Sequence, residues 1–269
     1  MNRKIGFIGC GKMAEAIIGG LIKSELVPAR QISASAKTIS TVEKVKEKYD
    51  INATIHNKEV AKEADMLILA VKPDLHKEVI EEMKDVVKNE AVIITIAAGI
   101  TLDFLETSFR KKVKAVRVMP NTPSLVGEGM SAICANEAVK GEELQDVIRL
   151  FESFGKAEVL PEKLMDAVPA VSGSSPAYVY MFIEALADGA VQQGISRSQA
   201  YTMAAQAVLG AAKMVLETGK HPAELKDNVC TPGGATIEAV TTLEKHGFRS
   251  ALVSAMEACT VKSKKLKDS

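Results

Sequence analysis

The chain has 269 residues, of which 47% are hydrophobic and 25% are charged. This length and composition suit one large soluble domain or two of ordinary size, with enough apolar residues for a core. The 34 lysines and arginines balance the 34 aspartates and glutamates. Because there is no net field, and no apolar run of about 18 residues, we expect neither a nucleic-acid partner nor a membrane partner.

Four cysteines, Cys10, Cys134, Cys230 and Cys259, are scattered along the chain without the C-x-x-C spacing of zinc sites. They also do not outline a disulfide framework, so we predict no metal site and no disulfides. The first four residues lead directly into a predicted strand and do not resemble a secretory signal. We therefore expect a reducing, cytoplasmic location.

Short β-branched runs alternate with amphipathic stretches over about the first 160 residues. Strands are predicted at Lys4–Ile8, Gln31–Ala34, Met66–Ala70, Ala91–Thr95, Val113–Val118 and Met130–Cys134. Helices are predicted at Lys12–Ser24, Ser40–Lys48, Asp74–Val87, Thr101–Phe109 and Lys140–Phe154. This alternation is typical of βαβ units, so we predict an α/β fold with a Rossmann-like, mainly parallel sheet.

Beyond about Leu164 the strand signal disappears, and the remaining predicted elements are helices. They are Pro176–Gln193, Arg197–Thr218, Pro222–Lys226, Ala235–His246 and Phe248–Lys267. Residues 204–212 are small and apolar around most of the helix circumference, a pattern typical of a helix buried on several sides. We expect helices of a second subunit to cover it, with burial within one chain as the alternative. The predicted domains are residues 1–163 and 164–269.

The first predicted strand runs into a Gly-x-Gly-x-x-Ala turn and then into a helix. Gly9 permits the tight turn, Gly11 lets a pyrophosphate approach the backbone, and Ala14 permits close packing of helix on strand. The free N–H groups at the helix start suit phosphates. At the first strand of a βαβ series, this pattern favours dinucleotide binding over a purely structural turn. The predicted cofactor contacts here are Gly9, Cys10, Gly11, Lys12 and Met13.

The exit of the second predicted strand indicates which dinucleotide is bound. An NAD-preferring site usually ends this strand with an acidic residue for the ribose 2′-OH. Residues 33–38 read Ser-Ala-Ser-Ala-Lys-Thr and contain no acid. Hydroxyls and a lysine suit a 2′-phosphate, so we predict that Ser35 and Lys37 contact the cofactor and that NADPH is favoured over NADH. Ordinary polarity of an exposed loop is the alternative.

Two later strand ends are also predicted to line the cofactor, because ligands bind at the carboxyl edge of such sheets. Their small residues admit the nicotinamide ribose and ring. The residues concerned are Ala70, Val71, Lys72 and Pro73 after one strand, and Ala97, Ala98 and Gly99 after the next. Asn57 begins a helix after a short strand, where it either caps the helix or also reaches the cofactor or substrate.

Residues 226–236 form a predicted break rich in proline, glycine and small residues between two helices. Pro232 sets a turn, Gly233 and Gly234 allow close backbone approach, and Thr236 offers a hydroxyl where the next helix begins. Free amides beside a hydroxyl suit an anionic ligand that carries a protonable atom. The alternative is a plain connector between helices.

Several further segments complete this pattern. They are His56-Asn57-Lys58, Met119-Pro120-Asn121-Thr122-Pro123, Ser172-Gly173-Ser174-Ser175-Pro176-Ala177-Tyr178 and Leu225-Lys226-Asp227-Asn228. Together with the turns above, they resemble the pyrroline-5-carboxylate reductase family over nearly the whole chain. The glycine turn is shared by many dehydrogenases, whereas the segment through Pro232–Thr236 is close to a signature of this family. One departure is Ser175, where the family usually has glycine.

The resemblance implies hydride transfer from NAD(P)H to the C=N carbon of Δ1-pyrroline-5-carboxylate, which gives L-proline. It also implies a helical C-terminal domain that interlocks with a second subunit, often within decamers, and a substrate held between one subunit's nicotinamide and its partner's helices. By analogy with the family, Thr236 is the catalytic candidate that holds or relays the imine proton. The implied substrate-binding residues are Asn228, Thr231, Gly233, Gly234, Ala235 and Thr236. For Asn228, fixing the loop geometry is the alternative role.

Two other functions remain open at this stage. A hydroxyacid dehydrogenase of the 6-phosphogluconate type shares the two-domain layout, but it uses a lysine early in the helical domain, and residues 171–178 contain none. A non-catalytic NADPH-binding regulatory protein is the second alternative. The histidines are weaker catalytic candidates: His56 lies close to Asn57, and we predict that His76, His221 and His246 are solvated in surface helices or turns.

Overall fold

The computed structural model describes the backbone of residues 1–267 and the side chains of residues 1–265. The chain divides into two compact units, residues 1–173 with the last helix from Cys259, and residues 174–258. The predicted domain boundary between residues 163 and 164 stays a prediction.

Eight strands form one sheet in the first unit, in the order β3-β2-β1-β4-β5-β6-β7-β8. Their bounds are β1 Ile5–Ile8, β2 Ile32–Ser35, β3 Asn52–Thr54, β4 Met66–Leu69, β5 Val92–Thr95, β6 Lys114–Met119, β7 Gly129–Ala135 and β8 Gly155–Val159. Strands β1 to β6 are parallel, β7 is antiparallel to β6, and β8 is parallel to β7. The predicted mainly parallel sheet is confirmed. Strand β8 was not predicted, because its sequence Gly-Lys-Ala-Glu-Val is half polar and lies at the sheet edge.

Six helices cover the two faces of the sheet. They are α1 Lys12–Lys23, α2 Ile39–Tyr49, α3 Asn57–Glu63, α4 His76–Met83, α5 Leu102–Phe109 and α6 Gly141–Glu152. One core contains buried residues of α1, α2 and α6, and the other contains those of α3, α4 and α5. The helix predicted over Asp74–Val87 is wrong at both ends, since a 3₁₀ turn spans Pro73–Leu75 and α4 ends at Met83.

The strand order reverses between β1 and β4. Strands β2 and β3 continue the sheet on one side of β1, and β4, β5 and β6 continue it on the other. At such a switch point the helices leave the sheet in opposite directions and open a crevice at the carboxyl ends of the strands. The fold therefore places Gly9 and Ala70, which follow β1 and β4, at the mouth of this crevice.

The second unit is helical, as predicted. Its helices are α7 Ser175–Gln192, α8 Arg197–Thr218, α9 Pro222–Val229, α10 Ala235–Lys245 and the first part of α11 Phe248–Lys267. Helix α9 continues three residues past its predicted end at Lys226, so the break between helices covers residues 230–234 rather than the whole of 226–236. Among the described residues, no helix is long and apolar enough to cross a lipid bilayer.

Within residues 174–258, the apolar residues that the chain buries are small: Ala187, Ala200 and Ala204. Leu209 in the predicted buried stretch is 53% exposed, and Leu216 is 73% exposed. The alternative in which one chain buries this stretch by itself is therefore wrong. An exposed apolar surface of this kind is typical of a subunit interface.

Two glycines of α1 provide a test of how this helix is held. A Cβ atom at Gly20 would lie 2.5 Å from the Cβ of Phe154, whereas a Cβ at Gly19 would meet its nearest atom, on Tyr49, at 3.5 Å. We expect Gly20→Ala to lower stability by about 1–3 kcal/mol, because Phe154 Cβ is one bond from the backbone. Gly19→Ala should raise stability by up to about 1 kcal/mol through helix propensity. Thermal unfolding at one protein concentration checks this pair, and equal midpoints would contradict the packing.

Candidate functional site

The glycine turn after β1 is held against the neighbouring strand. Gly9 has φ +98°, in the left-handed region, and a Cβ there would lie 2.8 Å from the carbonyl oxygen of Ala70. Its N–H donates to the carbonyl of Ser35 at 3.0 Å, and the N–H of Ala70 donates to the carbonyl of Ile8 at 2.8 Å. A larger residue at Gly9 would separate the ends of β1 and β4.

Gly11 leaves open space in front of α1. It is the N-cap residue in extended conformation, and a Cβ there would meet no heavy atom within 4 Å. No side chain among the described residues caps the amides at the start of this helix. Ala14 is buried in the core under the first turn, so the helix lies close to the sheet. Free amides facing open space fit a phosphate group.

A cleft of about 290 Å³ lies in front of this turn. Its lining residues are Gly11, Lys12, Met13, Ala14, Ala70, Val71, Lys72, Ile96 and Pro120. The cleft thus joins the glycine turn and the exit of β4, two of the groups predicted from sequence. Ile96 and Pro120 were missed as site residues, although each directly follows a strand at the same edge, which is the signal that identifies them.

The third predicted group, Ala97, Ala98 and Gly99, follows Ile96 at the exit of β5. Ala97 is buried, Ala98 is exposed, and Gly99 has φ +82°.

A larger groove of about 350 Å³ opens at the opposite edge, beside Lys4 and Arg30, which precede β1 and β2. No predicted site residue lines that groove. The smaller cleft at the carboxyl edge is therefore the candidate dinucleotide site.

Ser35, Asn57 and Glu82 form a chain of hydrogen bonds that begins at the end of β2. The hydroxyl of Ser35, which is fully buried, donates to Asn57 Oδ1 at 2.7 Å, and Asn57 Nδ2 donates to Glu82 Oε2 at 2.7 Å.

The predicted N-cap role of Asn57 is wrong, because His56 occupies the N-cap position and Asn57 is the first residue of α3. Lys37, one of the two predicted phosphate contacts, is exposed, whereas the other, Ser35, is buried. The cofactor contacts of Ser35, Lys37 and Asn57 stay predictions.

His76 is fully buried, so its predicted solvated position is wrong. Its Nδ1 lies 3.0 Å from the carbonyl oxygen of Lys72, and its Nε2 lies 3.0 Å from Thr95 Oγ1. Burial lowers the pKa of the imidazole, against smaller opposing effects of the Lys72 carbonyl and Asp74. Because α4 begins at His76, the helical spacing to Ile80 and Met83 places all three on the buried face. This spacing is the sequence feature from which the burial of His76 could have been predicted. His221 and His246 are exposed, as predicted, and His56 is exposed as well.

The turn between α9 and α10 has a defined shape. The N–H of Gly234 donates to the carbonyl of Thr231 at 3.0 Å, with Pro232 and Gly233 at the two central positions. Gly233 has φ +70°, which is the type II pattern of proline followed by glycine. A Cβ on Gly234 would overlap Thr231 Oγ1, so glycine is needed for the hydroxyl to lie over the turn.

Thr236 lies just after this turn, as the second residue of α10. Gly234 is the N-cap residue, and among the described residues no side chain caps the helix start. Thr231 is exposed and Thr236 is partly exposed. Asn228 lies in the last turn of α9 and not in the loop where the sequence placed it. This turn therefore presents free amides and two hydroxyls, a combination that suits a carboxylate.

Asn121 ties the exit of β6 to the end of the first unit. Its Nδ2 donates to the carbonyl of Ser172 at 2.9 Å, and its Oδ1 accepts from the N–H of Met130 at 2.8 Å. The residue is buried. These bonds fix the backbone next to Pro120, which lines the cleft.

The thiol of Cys10 provides a test of the glycine turn. Burial raises its pKa from about 9 to about 12, with Glu15 acting in the same direction. The reactive thiolate should therefore be about 10³ times scarcer at pH 8 than in an exposed thiol. We expect iodoacetamide to label Cys10 at least about tenfold more slowly than a free cysteine peptide, because the higher nucleophilicity of the high-pKa thiolate offsets only part of its scarcity, with mass spectrometry as the readout. The labelling rate should approach that of the peptide in urea, and a fast native rate would contradict the burial.

Comparisons with known proteins match both parts of the chain. A family described as pyrroline-5-carboxylate reductase dimerisation matches residues 162–266. A family described as NADP oxidoreductase, coenzyme F420-dependent, matches residues 4–99. The pyrroline-5-carboxylate reductase of Escherichia coli is 49% identical over 269 residues, which is 100% of each chain.

Solved structures agree with these matches. A pyrroline-5-carboxylate reductase from Coxiella burnetii superposes with a TM-score of 0.94 at 34% identity, covering 99% of each chain. The Plasmodium falciparum pyrroline carboxylate reductase, solved with NADP bound, gives a TM-score of 0.87 at 34% identity, covering 99% of this chain and 98% of that one. Full-length identity well above the level of a shared fold decides the assignment: this chain belongs to the pyrroline-5-carboxylate reductase family.

Proposed function

We propose that this protein reduces Δ1-pyrroline-5-carboxylate to L-proline with NADPH, as the last step of proline biosynthesis in the cytoplasm. The observation that carries the proposal is a family match over the full chain, combined with a dinucleotide cleft and a carboxylate-suited turn. Family membership supports this function over the hydroxyacid dehydrogenase and the regulatory protein.

The residues around the cleft fit a dinucleotide. The amides at the start of α1 would bind the pyrophosphate, and the open space at Gly11 lets it approach the backbone. The exits of β4 and β5 would hold the nicotinamide end, since both lie at the same carboxyl edge. When bound, the nicotinamide supplies the hydride.

Lys37 supports NADPH over NADH. It is exposed directly after β2, the strand whose exit usually carries the acid that recognises an unphosphorylated ribose. An ammonium there attracts a 2′-phosphate, and no carboxylate in residues 33–38 repels it. Ser35 would contact the cofactor through its backbone at the strand end, because its buried hydroxyl is bonded to Asn57.

Reduction of a cyclic imine needs a hydride on carbon and a proton on nitrogen. The imine nitrogen is basic enough to arrive protonated part of the time, so a hydroxyl that holds or relays the proton is sufficient. Thr236 would take this role as the second residue of α10, beside free amides that would hold the carboxylate, with Thr231, Gly234 and Ala235 around them. Orientation of the two reactants can contribute roughly 7–11 kcal/mol, whereas general-acid help is typically about 10²–10⁴-fold.

The active enzyme would be a homodimer or a larger assembly such as a decamer. The second unit carries an apolar groove of about 640 Å³, lined by Tyr178, Val179, Met181, Phe182, Ala185, Leu186, Leu243, Phe248 and Leu252. Helix α8 also exposes Met203 and Leu209. A second copy would cover this surface, and each substrate site would combine the cofactor of one subunit with the Thr231–Thr236 turn of its partner.

Cofactor choice tests the role of Lys37. Lys37→Glu should lower the ratio of kcat/KM for NADPH over NADH by at least about tenfold, since a carboxylate would repel the 2′-phosphate. Lys112→Glu makes the same charge change on an exposed residue before β6, at the opposite edge of the sheet, and should leave the ratio unchanged. An unchanged ratio in Lys37→Glu, or an equal loss in both variants, would remove Lys37 from the site.

Turnover tests the role of Thr236. The wild-type protein should oxidise NADPH in the presence of pyrroline-5-carboxylate, followed as loss of absorbance. Thr236→Val keeps the side-chain shape without the hydroxyl, so we expect kcat to fall by up to about 10²–10⁴-fold while NADPH still binds. Thr236→Ser restores the hydroxyl and should lie within about tenfold of wild type.

Two outcomes would count against this assignment. An unchanged kcat in Thr236→Val would show that its hydroxyl takes no part in proton transfer. Failure of the wild-type protein to oxidise NADPH, with 2-hydroxy acids also inert in the reverse direction, would favour the regulatory protein.

A further inference from the structure

Two loops that follow neighbouring strands are joined by buried side chains. One loop leaves β4 and contains Lys72, and the other leaves β5 and contains Ala97. His76 is the first residue of α4 and Thr95 is the last of β5, and both are fully buried. His76 Nε2 lies 3.0 Å from Thr95 Oγ1.

This pair reaches the backbone of both loops. His76 Nδ1 lies 3.0 Å from the carbonyl oxygen of Lys72, and the N–H of Ala97 donates to Thr95 Oγ1 at 3.3 Å. The ladder between β4 and β5 ends with the N–H of Ile96 donating to the carbonyl of Leu69 at 3.4 Å. Among the described residues, the hydrogen bonds that connect the loops beyond that point run through His76 and Thr95.

These hydrogen bonds have one consistent assignment of donors and acceptors. The carbonyl of Lys72 only accepts, so Nδ1 of His76 carries the proton. The hydroxyl of Thr95 already accepts from Ala97, so its own proton is free for Nε2, which accepts in this tautomer. A neutral imidazole thus completes a chain from Ala97 N–H through Thr95 and His76 to the Lys72 carbonyl. Burial, which lowers the pKa of His76, favours the same neutral form.

An apolar pair at positions 76 and 95 would need no hydrogen-bond partners. His76 shares the buried face of α4 with Ile80 and Met83, which belong to an apolar core. Burying an imidazole and a hydroxyl there is unfavourable unless both are fully hydrogen bonded. They are bonded to each other and to the two loops at the candidate cofactor edge, where Lys72 and Ile96 line the cleft. A role confined to core packing does not require those partners.

We propose that His76 and Thr95 are positioning residues that hold the exits of β4 and β5 in register for the nicotinamide end of the cofactor. The inference rests on the proposed function only for the identity of the ligand. The link between the loops is a property of the protein without cofactor and can be measured there.

Thr95→Val and Thr95→Ser provide the matched pair. Valine keeps the branched shape and removes the hydroxyl, whereas serine keeps the hydroxyl. We expect Thr95→Val to raise the Kd for NADPH by about tenfold, measured by fluorescence titration, which is about 1.4 kcal/mol. Thr95→Ser should stay within about twofold of wild type. Adding His76→Leu to Thr95→Val should cost little more, because the two side chains act as one unit.

The cofactor-free protein gives independent readouts. Nitrogen NMR of the imidazole at pH 7 should show His76 as the neutral tautomer protonated on Nδ1. Amide exchange at Ala97 should be about tenfold faster in Thr95→Val than in Thr95→Ser. The Nε2-protonated tautomer, equal exchange in the two variants, or an unchanged Kd in Thr95→Val would overturn the proposal. If the wild-type protein binds no NADPH, the proposed function fails, while the tautomer and exchange results still decide whether the loops are linked.

Discussion

Close approach of the Gly9 backbone to the carbonyl of Ala70 is the constraint on which the cofactor edge depends. It brings the ends of β1 and β4 together at the point where the strand order reverses. Any Cβ at Gly9 would meet that carbonyl, and the left-handed φ excludes most other residues there. The start of α1 is directed by this turn, and with it the free amides that face the cleft. Backbone packing thus leaves these amides free, as the proposed phosphate site requires.

Several polar side chains near this edge are held by hydrogen bonds to other parts of the protein. Ser35 and Asn57 link β2 to α3, Thr95 and His76 link β5 to α4, and Asn121 fixes the exit of β6. Each link joins backbone segments where the sheet hydrogen bonds end. A buried polar pair with satisfied partners restricts geometry more than an apolar contact does, because a hydrogen bond is directional. The strand ends are therefore held in place before a ligand arrives.

The helical unit leaves large apolar side chains on its surface. Residues 174–258 bury little beyond alanines, and large apolar side chains such as Met181 and Leu216 stay exposed. A chain that presents this much apolar surface gains stability by association, since removal of that surface from water is favourable. The same association would bring the Thr231–Thr236 turn of one subunit to the cofactor of another. In the proposed arrangement, assembly would also complete the substrate site.

The sequence by itself determined the kind and order of most elements, the glycine turn, the Pro232–Gly233 turn and the family. These features follow from local rules: side-chain periodicity, the φ freedom of glycine and the fixed φ of proline. Sequence could not identify the partners of His76, which bonds to Thr95 nineteen residues away, or of Asn57, which bonds to Ser35 and Glu82. It also missed the polar edge strand β8 and the end of α9. Only the tertiary structure decided the bonds of His76 and Asn57 and the pairing of β8, because each of these depends on a partner that the fold, and not the local sequence, brings into contact.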